Sequence, residues 1–195
     1  MHIIIWRWYA TVIHMKRQAE RSSVCWMESP VVKLNPEGLH ADEIGVGKVK
    51  EQMGRLEGID CLLAVGSGTI HDLTRYYAYQ TGIPFISIPT AASVDGYVST
   101  VAAMSWYGFK RSIIAKSPIL VIADSRVIAE APMRLTASGV GDLLWEKNTA
   151  LADWKITHIL NGEHICRRIC DMEYEALNNL KKSLPGLVNG ANRSL

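Results

Sequence analysis

The chain has 195 residues, of which 48% are hydrophobic and 21% charged, and its formal net charge is +2. This composition is that of an ordinary folded globular protein, and a chain of this length can bury a core without disulfide or metal cross-links. So small a net charge gives no electrostatic basis for binding nucleic acid or a membrane surface, and no run reaches the roughly 18 uninterrupted apolar residues of a membrane-spanning helix.

The first part of the chain is the hardest to interpret. Residues 1–34 show no regular apolar period, and no element or domain is assigned to them. From Asn35 the pattern becomes regular, and segment 40–58 predicts an amphipathic helix that ends at Gly58. Its apolar side chains fall on or near one face: Ile44, Val46, Val49 and Met53.

Strand and helix patterns alternate over the next part of the chain. The predicted elements are a buried strand at 61–65, a helix at 69–81 with Gly82 as its C-cap, and strands at 84–88, 111–115 and 119–123. From Pro132 the pattern is helical only, over 132–160 and 163–183. This change near residue 131 predicts an α/β domain over 35–131, followed by a helical domain over 132–195.

A glycine-rich segment, AVGSGTIHD, follows the first predicted strand. Glycines after a buried strand let backbone N–H groups approach an anion, and the following helix N-terminus adds partial positive charge. Thr69 can supply a hydroxyl or cap the helix, and Asp72, expected in the first turn, suits the helix dipole. His71 replaces the third glycine of the G-x-G-x-x-G fingerprint, so the pattern alone leaves open a phosphate cradle or a turn that only needs glycine.

The segment PTAASVDGYVST, residues 89–100, follows the next predicted strand. Its start should therefore lie at the same carboxyl edge of a parallel sheet as the glycine-rich segment, and ligands of open α/β sheets bind at that edge. Asp95 is either the first residue of an Asx turn before Gly96 or an acid directed at a substrate hydroxyl. Small side chains suited to a backbone that wraps a ligand precede it: Thr90, Ala91, Ala92 and Ser93.

A third segment, ASGVGDLLWEK, places two glycines before Asp142 in otherwise helix-forming sequence. Glycine costs about 1 kcal/mol in a helix interior, so close packing or a bend is expected beside Asp142. A carboxylate there could ligate a divalent metal, and it could equally be a helix-surface acid or an N-cap.

The four cysteines are Cys25, Cys61, Cys166 and Cys170. None forms a Cys-x-x-Cys pair, and free thiols are typical of a reducing cytosol, so we expect a cytoplasmic protein. Cys166 and Cys170 would share one face of a helix near His164, which suits either a metal site or a half-buried helix face.

Several motifs occur in one order over roughly residues 38–165: LHADE, AVGSGTIHDLTRY, GIPFISIPTAASVDGYVSTVAAM, KSPILVIAD, APMRLTASGVGDLL and TALADWKI. Together they resemble the sn-glycerol-1-phosphate dehydrogenase family, and within it the bacterial AraM-like members. That family lies in the superfamily of dehydroquinate synthase-like proteins and metal-dependent alcohol dehydrogenases. The resemblance implies a Rossmann-like α/β domain that binds NAD(H) or NADP(H), followed by the first helices of an all-α metal-binding domain.

The resemblance also assigns roles to residues. Asp95 would hold the substrate, Asp142 would be the first ligand of a Zn²⁺ or Ni²⁺ ion close to the substrate, and Ser99 would contact the nicotinamide end. The pyrophosphate would lie on Gly66, Ser67, Gly68, Thr69 and Ile70, and Thr90, Ala91, Ala92 and Ser93 would also contact the cofactor.

The implied reaction reduces dihydroxyacetone phosphate to sn-glycerol 1-phosphate, a precursor of the phospholipid backbone. In the family the metal polarises the C2 carbonyl, hydride arrives from the reduced nicotinamide, and the metal stabilises the developing alkoxide.

The chain also departs from the family pattern. Family members are longer, and two downstream histidines complete their metal site; His158 and His164 lie too close to Asp142 to be those ligands. One extra residue at Trp145–Glu146 would rotate the helix by about 100°. These departures suggest a truncated copy, so the alternative function is a catalytically incompetent nucleotide-binding remnant. Its helices would expose apolar faces and form a homo-oligomer.

Overall fold

The structure is a computed structural model that describes residues 2–8, 31–35 and 37–191. The chain divides into two compact units, Met1–Pro132 and Met133–Leu195. Along the first unit the elements are β1 His2–Trp8, β2 Val31–Leu34, α1 Glu43–Met53, β3 Ile59–Gly66, α2 Gly68–Thr81, β4 Phe85–Pro89, a 3-10 turn Gly96–Val98, β5 Val101–Trp106, β6 Phe109–Ile114, β7 Leu120–Val121 and α3 Ser125–Ala129. The second unit contains α4 Met133–Asn161 and α5 Arg167–Ala191.

The first unit is built on a parallel sheet with the strand order β2-β1-β3-β4-β7. Every pairing in this sheet is parallel, whereas β5 and β6 form a separate antiparallel hairpin. Strands alternate with helices α1 and α2 along the chain, as in nucleotide-binding α/β proteins. The predicted α/β fold class is therefore confirmed.

The core lies around the middle strand of the sheet. Leu62, Leu63 and Ala64 on β3 are fully buried, as expected for a parallel strand covered on both faces. Side chains from both helices and the neighbouring strand join this core: Val46, Val49, Met53, Ile70, Leu73 and Phe85.

Two strands lie in the part of the chain to which the sequence assigned no element. Segments 2–8 and 31–34 form β1 and β2, and β1 pairs with both β2 and β3. Parallel strands need not alternate apolar and polar residues, so a period-based reading gives no signal for them. Residues 9–30, which include Cys25, lie outside the described residues.

Helix α1 is shorter than predicted. It ends at Met53, where Gly54 donates its backbone N–H to the Lys50 carbonyl at 2.8 Å, rather than at Gly58. Ile44 is exposed, which corrects the expectation that it lies on the apolar face. The other three predicted positions are buried.

The sequence missed one strand of the hairpin and misplaced the other. Val101–Trp106 forms β5, and the predicted strand at 111–115 corresponds to its antiparallel partner β6, which occupies Phe109–Ile114. The predicted strand at 119–123 is only Leu120–Val121, which pairs with β4. Asp124 then caps α3 by accepting the Arg126 backbone N–H at 2.9 Å.

The LHADE motif attaches the hairpin to α1. The Ala41 carbonyl accepts the Ser105 backbone N–H at 2.7 Å, and Glu43 Oε2 accepts the Tyr107 backbone N–H at 3.3 Å. Asp42 Oδ1 accepts the Gly45 backbone N–H at 2.7 Å and caps α1. Within the described residues this motif therefore has a structural role.

The second unit differs from prediction mainly at its last helix. Helix α5 begins at Arg167 and continues through Pro185 to Ala191, instead of occupying 163–183. Among the described residues of the second unit, the buried apolar or thiol side chains are Leu151 on α4 and Cys170 and Leu177 on α5. None of the described helices is both long enough and apolar enough to cross a membrane.

Gly45 and Gly47 on α1 offer a test of the packing between this helix and the LHADE motif. A Cβ at Gly45 would lie only 2.2 Å from the His40 carbonyl oxygen, whereas one at Gly47 would meet no described atom within 4 Å. We expect Gly45→Ala to lower the free energy of unfolding by about 2 kcal/mol. Gly47→Ala should raise it by about 0.5 kcal/mol through helix propensity. Urea denaturation measures both values, and equal effects of the two substitutions would contradict the packing described.

Candidate functional site

Two loops leave the sheet side by side. Strands β3 and β4 are parallel, and their last residues, Gly66 and Pro89, are register partners. The Thr90 backbone N–H donates to the Gly66 carbonyl at 3.0 Å, so the loop after β4 begins against the end of β3. Both predicted binding segments therefore start at the carboxyl edge of the sheet, where ligands of α/β proteins bind.

The first loop leads directly into a helix. Ser67 is the N-cap of α2, and its carbonyl accepts the backbone N–H groups of Ile70 and His71 at 3.1 and 3.3 Å. Thr69 lies inside the first turn and does not cap the helix, which corrects that alternative. The Ser67 side chain makes no capping hydrogen bond within the described chain. The first N–H groups of a helix point away from its body, so this turn directs donors and positive potential toward the sheet edge.

Gly68 allows the two loops to approach each other. A Cβ at this position would lie 3.2 Å from Val94 Cγ1 and 3.3 Å from Val94 Cγ2. Because these distances are tighter than ordinary van der Waals contact, a side chain at Gly68 would require Val94 to shift.

The second loop is folded on Tyr97. The Tyr97 hydroxyl donates to the Ala91 carbonyl at 2.6 Å and lies 3.1 Å from Ser93 Oγ. Ala91 and Ser93 are buried, whereas Thr90 is half-buried and Ala92 is exposed. The small residues at the start of this segment thus form a compact turn, and Ala92 and part of Thr90 remain accessible at its surface.

Asp95 and Ser99 flank the 3-10 turn of the second loop. Asp95 is half-buried, and in the described chain its carboxylate does not cap that turn. Ser99 Oγ accepts the Val101 backbone N–H at 2.9 Å, which holds the end of the loop against the start of β5.

A buried arginine, which the sequence analysis missed, lies beneath this loop. Arg75 is 2% exposed, and its guanidinium donates to the carbonyls of Gly96, Val101 and Tyr97 at 2.7, 3.0 and 3.4 Å. Asp72 Oδ1 accepts from Arg75 Nη1 at 2.8 Å. Asp72 is therefore not a first-turn acid that complements the helix dipole, as was predicted, but the counter-charge of Arg75. The sequence did contain one signal for this ion pair, a basic residue three positions after an acidic residue in a predicted helix.

His71 packs inside the site in place of the third fingerprint glycine. Its side chain is 1% exposed, and its ring meets the Tyr97 ring edge-on with 4.7 Å between centroids. Nδ1 lies 2.9 Å from the Ser67 carbonyl, so Nδ1 carries the proton and donates it. Nε2 has no hydrogen-bond partner among the described residues. Burial lowers the pKa of His71 to about 4, and the imidazole is therefore neutral at pH 7.

Burial moves the neighbouring carboxyl in the opposite direction. Desolvation raises the pKa of Asp72 to about 6, although the charge of Arg75 and the hydrogen bonds to the carboxylate act against this shift. Asp72 is thus mostly ionised at pH 7, and it loses its charge as the pH falls below about 6.

Asp142 lies within α4, in the second unit, and is half-buried. The helix runs without interruption past Gly139 and Gly141. Among the residues that the structure describes, no group of three or more His, Cys, Asp or Glu side chains is placed to hold a metal ion. Cys166 and Cys170 are free thiols outside any such group. The described residues therefore do not form a metal centre by themselves.

His71 and Asp72 should affect the pH dependence of stability with opposite signs. Between pH 4 and 6.5 unfolding makes His71 take up a proton, so its contribution to stability falls as the pH falls. Between pH 3.8 and 6 unfolding makes Asp72 release a proton, so its contribution falls as the pH rises.

Relative to the unsubstituted chain, His71→Gln should therefore give a stability that falls more steeply as the pH rises from 4 to 6. Asp72→Asn should give one that rises more steeply over the same range. Urea denaturation at several pH values measures these slopes. Two variants with the slope of the unsubstituted chain would contradict both assignments.

Comparison with known proteins gives the family of the chain. Residues 15–132 match the family described as iron-containing alcohol dehydrogenase, which is more than half of the chain. The chain is 43% identical over 146 residues to a protein from Bacillus licheniformis named glycerol-1-phosphate dehydrogenase [NAD(P)+], covering 72% of this chain and 36% of that protein. It is 49% identical over 102 residues to a protein of the same name from Pyrococcus furiosus, covering 52% of this chain and 29% of that protein.

Solved structures give the same fold. A probable glycerol dehydrogenase from Sinorhizobium meliloti matches with a TM-score of 0.75 at 19% identity, covering 95% of this chain and 51% of that chain. Glycerol dehydrogenase from Schizosaccharomyces pombe matches with a TM-score of 0.61 at 24% identity, covering 78% of this chain and 39% of that chain. The chain thus spans about a third of the length of its curated relatives and about half or less of these structures. On the match over residues 15–132, the chain belongs to the iron-containing alcohol dehydrogenase family.

Proposed function

We propose that the first unit binds NAD(H) or NADP(H) in the two loops at the carboxyl edge of its sheet. The observation that carries this proposal is the pairing of Gly66 with Pro89, continued by the hydrogen bond from the Thr90 N–H to the Gly66 carbonyl. This pairing brings a glycine-rich helix N-terminus and a loop of small residues together, which suits a pyrophosphate and the nucleotide attached to it.

Each loop takes one part of the dinucleotide in this proposal. Backbone N–H groups at the start of α2 bind the pyrophosphate, and Ser99 lies at the nicotinamide end. The residues of the first loop are Gly66, Ser67, Gly68, Thr69 and Ile70, and those of the second are Thr90, Ala91, Ala92 and Ser93. Support comes from the close approach that Gly68 permits to Val94.

The proposed reaction is that of a glycerol-1-phosphate dehydrogenase in the cytoplasm, which supplies a phospholipid backbone. Dihydroxyacetone phosphate is the substrate and sn-glycerol 1-phosphate the product, and the reduced nicotinamide supplies the hydride when bound. Asp95 holds a substrate hydroxyl through its half-buried carboxylate. The names of the relatives from Bacillus licheniformis and Pyrococcus furiosus support this activity.

A metal enters this proposal only through Asp142. A catalytic zinc site takes three protein ligands, and the described residues do not group that many around one position. The described residues therefore do not fit a Zn²⁺ or Ni²⁺ site by themselves, and Asp142 would contribute one ligand to a site completed by other residues.

The incomplete ligand set among the residues that the structure describes favours a second candidate function, in which the chain binds the nucleotide without turning over substrate. Oxidation of NADH by the purified chain, with dihydroxyacetone phosphate and added Zn²⁺ or Ni²⁺, separates the two functions. Turnover that depends on the substrate supports the dehydrogenase, whereas saturable NADH binding without turnover supports the nucleotide-binding module.

Gly68→Asp tests the cofactor site. The new side chain would press on Val94 and place a carboxylate beside the pyrophosphate. We expect the Kd for NADH, measured by fluorescence titration, to rise at least about tenfold, which corresponds to about 1.4 kcal/mol.

Gly47→Asp is the matched control, because Gly47 is exposed on α1 and a Cβ there meets no described atom within 4 Å. It should leave the Kd unchanged. Equal Kd values for the two variants would overturn the assignment of the first loop.

The second unit leads to a prediction of self-association. Trp145, Ile159 and Leu160 on α4 are 74%, 78% and 75% exposed. Exposed apolar side chains of this size favour association between chains. Light scattering should therefore give a mass larger than one chain, and Ile159→Lys should lower it. A monomer at high concentration would contradict this prediction.

A further inference from the structure

Arg75 connects the two loops of the site through the helix between them. Its Cα lies on α2, the helix whose first turn ends the glycine-rich loop, and its guanidinium reaches the backbone of the second loop. The three carbonyls that it binds belong to Gly96, Tyr97 and Val101. These positions bracket Ser99, and Gly96 directly follows Asp95.

The environment of Arg75 makes this connection specific. The guanidinium is 2% exposed, and a buried charge is tolerated only when it is paired and hydrogen-bonded. Asp72 supplies the opposite charge on the same helix at 2.8 Å, and the loop carbonyls accept from Nη1 and Nη2. Nε has no partner among the described residues. The planar guanidinium presents several donors in fixed directions, whereas a lysine ammonium at the same position has neither that spacing nor that geometry.

Arg75 binds the part of the loop that carries the proposed functional side chains. Ser99 Oγ accepts the N–H of Val101, and the carbonyl of the same Val101 accepts from Arg75 at 3.0 Å. The shortest of the three bonds, at 2.7 Å, is accepted by the carbonyl of Gly96. Gly96 is the residue that directly follows Asp95. Asp95 is therefore adjacent in the chain to a residue that Arg75 binds, and Ser99 is hydrogen-bonded to another.

We infer that Arg75 is a positioning residue, which fixes segment 95–101 so that Asp95 and Ser99 face the ligand held by the first loop. This inference rests on the proposed function for the roles of Asp95 and Ser99. Arg75 itself touches neither substrate nor cofactor in this arrangement, and its effect is transmitted through the backbone of the loop.

The test compares Arg75→Lys and Arg75→Ala with the unsubstituted chain by two independent measurements. Hydrogen exchange of the amides in segment 95–103 should become at least about tenfold faster in both variants, because hydrogen bonds to a charged group are lost. Exchange in β3 should change much less. The Kd for NADH should rise about tenfold, and millimolar guanidinium should partly restore both quantities in Arg75→Ala.

Arg55→Met is the control. Arg55 forms an exposed ion pair with Glu51 at 2.7 Å, and neither residue belongs to either of the two loops. It should leave exchange and Kd unchanged. Retained far-UV circular dichroism shows that a variant is folded, and Arg75→Lys keeps the positive charge if Arg75→Ala does not fold.

The outcomes separate this inference from the proposed function. Unchanged exchange in segment 95–103, or exchange that rises equally in β3, would overturn the positioning role of Arg75. An unsubstituted chain that does not bind NADH would overturn the proposed function, and faster exchange confined to segment 95–103 would then still support the ordering of the loop by Arg75.

Discussion

The parallel pairing of β3 with β4 is the constraint on which the site depends. Register partners run from Leu62 and Phe85 to Gly66 and Pro89, so both strands end at the same level. Had the strands been antiparallel, the two following loops would lie at opposite ends of the sheet. The helix between the strands is what makes the parallel connection possible, and the same helix contributes its N-terminus to one loop and Arg75 to the other.

Several residues that resemble functional groups in the sequence stabilise the fold in the structure. Asp42 and Glu43 of the LHADE motif bind backbone N–H groups of α1 and the hairpin. His71 fills the space under Tyr97 as a neutral ring, and Asp72 neutralises a buried arginine. Residues directly behind a binding loop must satisfy its backbone groups, so polar and charged types accumulate there without touching a ligand.

The sequence predicted the elements whose signals are local. Buried strand β3, helix α2 and its left-handed cap at Gly82, with φ of 76°, follow from apolar runs and glycine placement. Strands β1 and β2 were not predicted, because they are stabilised by pairing between segments distant in the chain rather than by a local period. Strand β5 was also missed, although its partner β6 follows it after only two residues. The adjacency of the two loops could be inferred from strand direction, but the role of Arg75 could not, since its acceptors are backbone atoms that any sequence possesses.

The short strands at the edges of the sheet have a consequence for how this chain meets other chains. β7 has two residues and β2 has four, so each edge offers few unpaired N–H and C=O groups to a strand from another molecule. Edge-to-edge growth of the sheet, the route that leads to fibrous aggregates, is therefore poorly templated by these two described edge strands. Contacts through this sheet would depend on side-chain packing instead, whereas the hairpin keeps a longer edge strand, β6 with six residues.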